Sequence, residues 1–494
     1  MTSAELYNNY RNKMQRIADV KYAAAVLQWD QETYLPAKGA GARARQLATL
    51  SETAHGLFTD EKLGALLHEL SGTPGLSVIE ARNVAVTLEE YDKQKKFSAA
   101  FVREMSESVS AAFYAWMDAR KQNSFAIFEP ALDKLVSLKR QEAELLGYKE
   151  HPYNALLNEY EKGATVAMLD KLFNDITGPL KELMQQAQSI MVDDAFLHQL
   201  YPKKEQWDWG MYLVKELGFD LDAGRQDISE HPFTTNFSAR DVRLTTRIDE
   251  HDFANMTWSC IHEAGHGLYE QGLPDEEYGL PSGEYASLSI HESQSRLWEN
   301  CVGRSKAFWK HYLPQLKKFF PKQLESVEVE QFFRAINKVQ PSFIRTEADE
   351  ISYHFHVKVR YLVEKQIMEG SLATADIPKR WNQLYKENLG VDVPDDKRGC
   401  LQDVHWSHGS FGYFPTYSLG SFYAAQLFEK ASQDIEGLED KIASGDTAQL
   451  LKWLRTHLHC YGKQFESEEL IKKITGENLN FNRFINYLHL KFKP

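Results

Sequence analysis

The chain is poor in turn-forming residues and in cysteine, and it has no long apolar run. Its 494 residues hold only 16 prolines and 28 glycines, together about 9 per cent against a usual share of about 12 per cent. So few turn-formers over such a length favour long helices over many short strands. No stretch rich in proline, glycine or serine reads as a linker, and neither an internal repeat nor a low-complexity tract is evident. The four cysteines, Cys260, Cys301, Cys400 and Cys460, are scattered without Cys-x-x-Cys spacing. They read as reduced thiols of a cytoplasmic protein rather than as a disulfide frame or a zinc cluster. No uninterrupted apolar run approaches the roughly 18 residues a membrane span needs, and the first residues, Met1-Thr2-Ser3-Ala4-Glu5-Leu6, lack a charged-then-apolar leader. The net charge is −13, with no basic cluster large enough to track a phosphate backbone, so nucleic-acid binding is not expected.

Against these absences stands His262-Glu263-Ala264-Gly265-His266. Positions four apart project from one face of a helix, so two imidazoles so spaced can grip one metal ion. Glu263 is placed to act on a water at that ion, and the chemistry is zinc-assisted amide hydrolysis. Thr257, Trp258, Ile261, Ala264, Leu268 and Tyr269 recur at helical spacing, as a buried helix requires. Gly265 costs such a helix up to about 1 kcal/mol relative to alanine, a cost accepted where something must approach closely. Cys260, adjacent on the helix but pointing elsewhere, is not expected to ligate.

Zinc hydrolase sites take a third protein ligand and keep a position open. Glu292 in Ser289-Ile290-His291-Glu292-Ser293-Gln294-Ser295 is the best candidate. It lies beyond a loop marked by Gly272, Pro274, Gly279, Pro281 and Gly283. Helical spacing from Tyr285 to Cys301 suggests a second helix that brings Glu292 to the histidine pair. Spacing alone leaves two alternatives: His291 as the ligand, or Glu292 as a solvated charge.

Residues 1–190 read as successive helices. Thr2 and Glu5 form a capping-box pattern ahead of the stripe Leu6, Tyr10, Met14 and Ile17, and Thr165 starts a helix whose Leu169, Leu172, Phe173 and Ile176 face inward. Phe233–Ser238 and Asp241–Arg247 alternate and are rich in β-branched residues. They read as a hairpin that either offers a substrate its edge or only caps the helices. Ile344–Glu350 opens a helix running toward Gly370; its acids suit a first helical turn, leaving Arg345 as the less expected residue. Gln402–Trp406 and Gly412–Tyr417 gather imidazole, carboxylate and phenol groups in a loop-like stretch. The stretch is either structural or a source of oxyanion donors. Leu450, Leu451, Trp453, Leu454 and Leu458 mark an amphipathic core helix.

In order along the chain, these segments resemble the carboxypeptidase Taq family of zinc carboxypeptidases. His231-Pro232-Phe233 matches HPF, and Asp241, Arg243 and Thr245 match DxRxT. His262–His266 supply HExxH, and His291–Gln294 supply HESQ. Ile344, Arg345, Ala348 and Asp349 fit IRxxAD, while Gly399, Gln402, Asp403, His405 and Trp406 fit GxxQDxHW. The resemblance implies a mainly α, gluzincin-type peptidase fold with a deep central groove and a small β-sheet near the metal site. It implies one metallocarboxypeptidase domain over residues 1–494, with a helical half to about 190, a metal and substrate site at about 230–420, and a homodimer.

Its implied activity is removal of single residues from peptide C-termini, broad in side chain and poor toward proline. By the same resemblance His262, His266 and Glu292 hold Zn2+, with Co2+ as an alternative, and Glu263 is the general base. His231, Arg243, Arg345, His405, Tyr413 and Tyr417 are the expected substrate-binding residues. The arginines suit a terminal carboxylate unless local acids such as Asp241 or Glu347 occupy them, and His405, His408, Tyr413 and Tyr417 suit an oxyanion. The rival readings are a helical zinc oligoendopeptidase and a non-catalytic metal- or peptide-binding scaffold.

Overall fold

Local capping chemistry sets the helices that dominate the molecule. In the computed structural model, which describes residues 2–229 and 231–493, the Thr2 hydroxyl accepts from the Glu5 amide at 3.2 Å and the Glu5 carboxylate accepts from the Thr2 amide at 2.8 Å. This box starts the helix Ser3–Thr33, and its predicted stripe Leu6, Tyr10, Met14 and Ile17 is buried against Leu63, Leu67, Leu70 and Val84. The Thr165 hydroxyl accepts from the Met168 amide and opens Val166–Gln188, burying Leu169, Leu172, Phe173 and Ile176 as the spacing predicts. Among the described residues no helix is long and apolar enough to cross a membrane, and all four cysteines are free thiols.

The chain divides into two compact units, Met1–Lys95 with Val192–Ile336 and Tyr423–Leu479, and Lys96–Met191 with Asn337–Phe422 and Asn480–Pro494. The first holds three strands, β1 (Gly224–Ile228), β2 (Thr234–Ser238) and β3 (Asp241–Thr246), in the order β1-β3-β2. The predicted hairpin is the antiparallel β2–β3 pair, with Thr234 opposite Leu244 and Asn236 opposite Val242. β1, which the sequence pattern does not reveal, pairs with β3 in parallel. Beside the sheet runs the helix Phe253–Glu270, which carries the His-Glu-x-x-His motif and buries Phe253, Met256, Cys260, Ile261, Ala264 and Leu268. An aromatic body of Tyr201, Trp209, Trp309, Tyr312 and Phe320, each almost wholly buried, lies in the same unit.

Three boundaries differ from those expected of the sequence. Tyr285 and Ala286 precede the second site helix, because Ser287 caps Leu288–Arg296 through its hydroxyl to the Ile290 amide. From Leu297 to Gly303 the helix is π-wound, its hydrogen bonds spanning one residue more than in α. In the second unit, residues 344–350 do not open a helix directly. Arg345–Glu347 form a single 3-10 turn, and Asp349 gathers the amides of Gln340, Ile351 and Ser352 ahead of the helix Tyr353–Glu369. That helix ends at Gly370 with φ 83°, in the left-handed region. In the stretch expected to be loop-like, His405–His408 form a 3-10 turn, and Pro415–Asp434 is helical.

Candidate metal centre

Gly265 is the residue that lets the site assemble. A Cβ there would lie 2.7 Å from Ser295 Cα and 2.8 Å from the Gln294 carbonyl oxygen, so the two helices meet main chain against main chain. The room that Gly265 leaves is filled by the neighbouring helix. Glu292, one turn before that contact, is thereby delivered to the histidine pair.

His262, His266 and Glu292 offer ligand atoms that all lie within 4.8 Å of one another. Glu292 Oε2 is 3.7 Å from His262 Nε2 and 3.5 Å from His266 Nε2. Two ligands held at about 2.0–2.2 Å by a tetrahedral ion stand about 3.3–3.6 Å apart. The Glu292 oxygen therefore stands from both imidazoles at close to the separation a divalent cation imposes, and too far for good hydrogen bonds to either. The donor set, two imidazoles and a carboxylate, fits zinc or a similar ion.

Hydrogen-bond partners fix the direction of the His262 and Glu292 donors. Glu299, reaching in from the π-wound segment, bonds His262 Nδ1 through Oε2 at 2.8 Å and so aims Nε2 at the centre. Its other oxygen, Oε1, accepts from Arg304 Nη2 at 3.1 Å. Arg296 Nε donates to Glu292 Oε1 at 2.6 Å, leaving Oε2 for the centre. The His266 ring stacks on His291 at 4.4 Å between centroids, and His291 Nε2 meets Glu270 Oε1 at 2.7 Å. His291 is thus engaged by Glu270, whereas Glu292 faces both motif histidines. Cys260 points away, its thiol 3.5 Å from Met256 Sδ.

Burial pushes the His266 imidazole down to about 3, which keeps it in the neutral form that ligates metals. Burial acts the same way on His262, but the carboxylates of Glu292 and Glu299 outweigh it and raise that ring above the usual histidine range. For Glu292 and Glu299 burial opposes ionisation, yet Arg296 and the imidazoles hold both well below the usual carboxylate range. Burial raises the Glu263 carboxyl, opposed by His262 and by the Thr234 hydroxyl.

Membership follows from the match along the whole chain. The family model described as "Carboxypeptidase Taq (M32) metallopeptidase" matches residues 9–492. The chain belongs to the carboxypeptidase Taq family. It is a metallocarboxypeptidase, a peptide hydrolase, and its mainly α fold with a small sheet is the family's. It is 37% identical over 482 residues to carboxypeptidase 1 of Bacillus subtilis, covering 97% of this chain and 96% of that protein. A solved structure named CHT is 56% identical, with a TM-score of 0.97 and 99% of each chain covered. The crystal structure of the M32 carboxypeptidase from Deinococcus radiodurans R1 is 37% identical, with a TM-score of 0.96 and 99% of each chain covered.

The other expected site residues of this family member fall as follows. In the first unit His231 is exposed, and its carbonyl accepts from the Ser229 hydroxyl at 2.7 Å. Arg243 forms a two-pronged pair with Asp241, Nε to Oδ1 at 2.5 Å and Nη2 to Oδ2 at 3.0 Å, and lies over the Trp29 ring at 4.8 Å. In the second unit Arg345 is buried and paired with Asp403 at 3.0 Å, with Nη1 donating to the Tyr353 hydroxyl at 3.0 Å. The acid that engages it is Asp403, 58 positions along the chain. His405 Nε2 meets the Tyr417 hydroxyl at 3.0 Å, Tyr413 packs on both rings, and the exposed His408 stacks on Phe113. Burial pushes His405 down to about 3, so its imidazole is neutral. Sequence reasoning missed Glu299, Arg296 and Thr234, which touch the proposed ligands or the proposed base.

Proposed function

We propose that this chain is a zinc-dependent carboxypeptidase that removes single amino acids from peptide C-termini, with broad side-chain tolerance and poor action on proline. Cobalt is an alternative metal. The observation that carries this reading is the convergence of His262 Nε2, His266 Nε2 and one Glu292 oxygen within 4.8 Å, backed by separate polar partners for His262 and Glu292. Residues 1–494 act in this reading as one metallocarboxypeptidase domain, a view supported by the family match over residues 9–492. A homodimer and a cytoplasmic setting belong to the same proposal, the latter in keeping with four free thiols; sedimentation of the purified protein tests the dimer.

His262, His266 and Glu292 would hold a divalent ion, which when bound would supply Lewis acidity to a water and to a carbonyl. Glu263 is the proton carrier. Its carboxyl, raised by burial, takes a proton from the attacking water and returns it to the departing amine. His231, Arg243, Arg345, His405, Tyr413 and Tyr417 are the proposed substrate-binding residues. Arg243 and Arg345 are the candidates for a terminal carboxylate, each oriented by an aspartate that leaves part of its five-donor fork for a second anion. The neutral His405 and the two phenols suit hydrogen bonding to a developing oxyanion.

Mass spectrometry of a defined peptide digested with and without chelator tests the proposal. The expected result is a ladder shortening one residue at a time from the C-terminal end and vanishing when metal is removed. A peptide with an amidated C-terminus should resist. Undiminished internal cleavage of the amide would replace this reading with the oligoendopeptidase one.

A further inference from the structure

The β2 strand touches the motif helix through two polar rungs. Thr234 Oγ1 lies 2.6 Å from Glu263 Oε2 and 3.1 Å from the Glu263 carbonyl oxygen. A hydroxyl has one proton, and the nearer, charged acceptor takes it. Two residues along the same strand face, Asn236 Nδ2 donates to Glu270 Oε2 at 2.7 Å, and Glu270 lies two helical turns after Glu263. Thr234 is itself held by the central strand. The Phe233 amide donates to Thr245 Oγ1 at 2.8 Å, the Thr245 amide donates to the Phe233 carbonyl at 2.9 Å, and Thr234 pairs in register with Leu244.

We propose that Thr234 is a positioning residue for the Glu263 carboxylate, fixing which of its two oxygens exchanges the proton. The proposal rests on the reading of Glu263 as the base. With Oε2 engaged by the hydroxyl, Oε1 is the oxygen that takes and returns the proton. A β-branched side chain on a strand has a restricted χ1, so Thr234 presents its hydroxyl in one direction. Through the chain Thr245–Phe233–Thr234–Glu263, the HPF and DxRxT segments act jointly and hold the strand that holds the carboxylate. The turnover step depends on that orientation, whereas ground-state binding of a peptide does not. Removing the hydroxyl therefore lowers kcat and leaves KM near its wild-type value.

The test compares Thr234→Val, Thr234→Ala and Thr234→Ser in the metal-loaded full chain, with metal content and melting temperature measured alongside. Thr234→Val keeps the shape and loses the proton donor. Its kcat should fall about ten- to a hundredfold, as expected when one hydrogen bond to a charged group is lost, with KM and bound metal unchanged. Thr234→Ser restores the donor and should bring kcat back to within about threefold of wild type. Should Thr234→Val fold poorly, Thr234→Ala against Thr234→Ser carries the same contrast. Equal kcat for the hydroxyl-bearing and hydroxyl-free variants overturns the proposal, as does a loss confined to KM. Glu263→Gln, run in parallel, separates the two levels: an active Glu263→Gln removes the base itself, whereas an inactive one beside a fully active Thr234→Val removes only the role of Thr234.

Discussion

Glu299 acts by touching a proposed ligand and not the ion site itself. It joins His262 Nδ1 to Arg304 and lies near Arg296, so the imidazole is held in one tautomer and one orientation. Replacing it with glutamine keeps the size and removes the charge. The expected outcome for Glu299→Gln is a metal affinity about 10–100-fold weaker, read by competition with a chelating dye, with the fold intact by circular dichroism. Glu263→Gln should behave in the opposite way, binding metal normally while kcat falls by about 10²–10⁴. The two variants together distinguish an aligning group from a proton carrier.

At the scale of elements, Gly265 decides how closely two helices approach. An exposed glycine-to-alanine change in a helix stabilises by up to about 1 kcal/mol. Here the added methyl would press into the main chain at Gln294 and Ser295, and the overpacking should cost about 1–3 kcal/mol. Gly265→Ala is therefore expected to lower the melting temperature and the metal occupancy together. A stabilised variant with full occupancy would contradict the helix contact described above.

The same element pair shows what can be read from a chain of letters. His262, Glu263 and His266 are legible because a helix repeats every 3.6 residues and their spacing alone puts both imidazoles on one face. Glu292 stands out as a candidate, but spacing cannot choose it over His291. The choice depends on which face of Leu288–Arg296 meets Gly265. Glu299 is invisible because the π-wound segment breaks the period that pattern reading assumes. β1 is invisible as well: Gly224-Arg225-Gln226-Asp227-Ile228 has no apolar alternation, and its Gln226 and Asp227 are buried despite being polar. The partner of Arg345 lies 58 positions away at Asp403, a pairing set by folding rather than by local sequence.

For the molecule as a whole, the second unit carries a buried acid with a consequence for stability. Glu364 accepts from Trp406 Nε1 at 2.8 Å and from the Gly412 amide at 2.9 Å, and the Tyr153 hydroxyl donates to it as well. Burial nevertheless pushes its carboxyl up to about 7. A carboxyl with a folded-state pKa above its unfolded value favours the folded state most at low pH. That contribution is full below about 4.5 and is lost as pH rises to about 7, a swing of roughly 3 kcal/mol by linkage. Melting temperatures recorded from pH 4.5 to 7.5 should therefore decline less steeply in Glu364→Gln than in wild type. Gly412 allows this clustering: its φ is 100°, and a Cβ there would sit 2.7 Å from the Leu156 carbonyl oxygen.

The close docking at Gly265 has one more outcome. Since main chain meets main chain there, and Glu299 and Arg296 hold two of the three proposed ligands, the arrangement of those side chains is expected to follow from folding rather than from the ion. Dialysis against a strong chelator should leave the far-ultraviolet spectrum unchanged and abolish turnover, and adding back stoichiometric zinc should restore activity without a refolding lag. On that outcome the ion would be a replaceable reagent, loaded and unloaded by mass action on a scaffold that keeps its form.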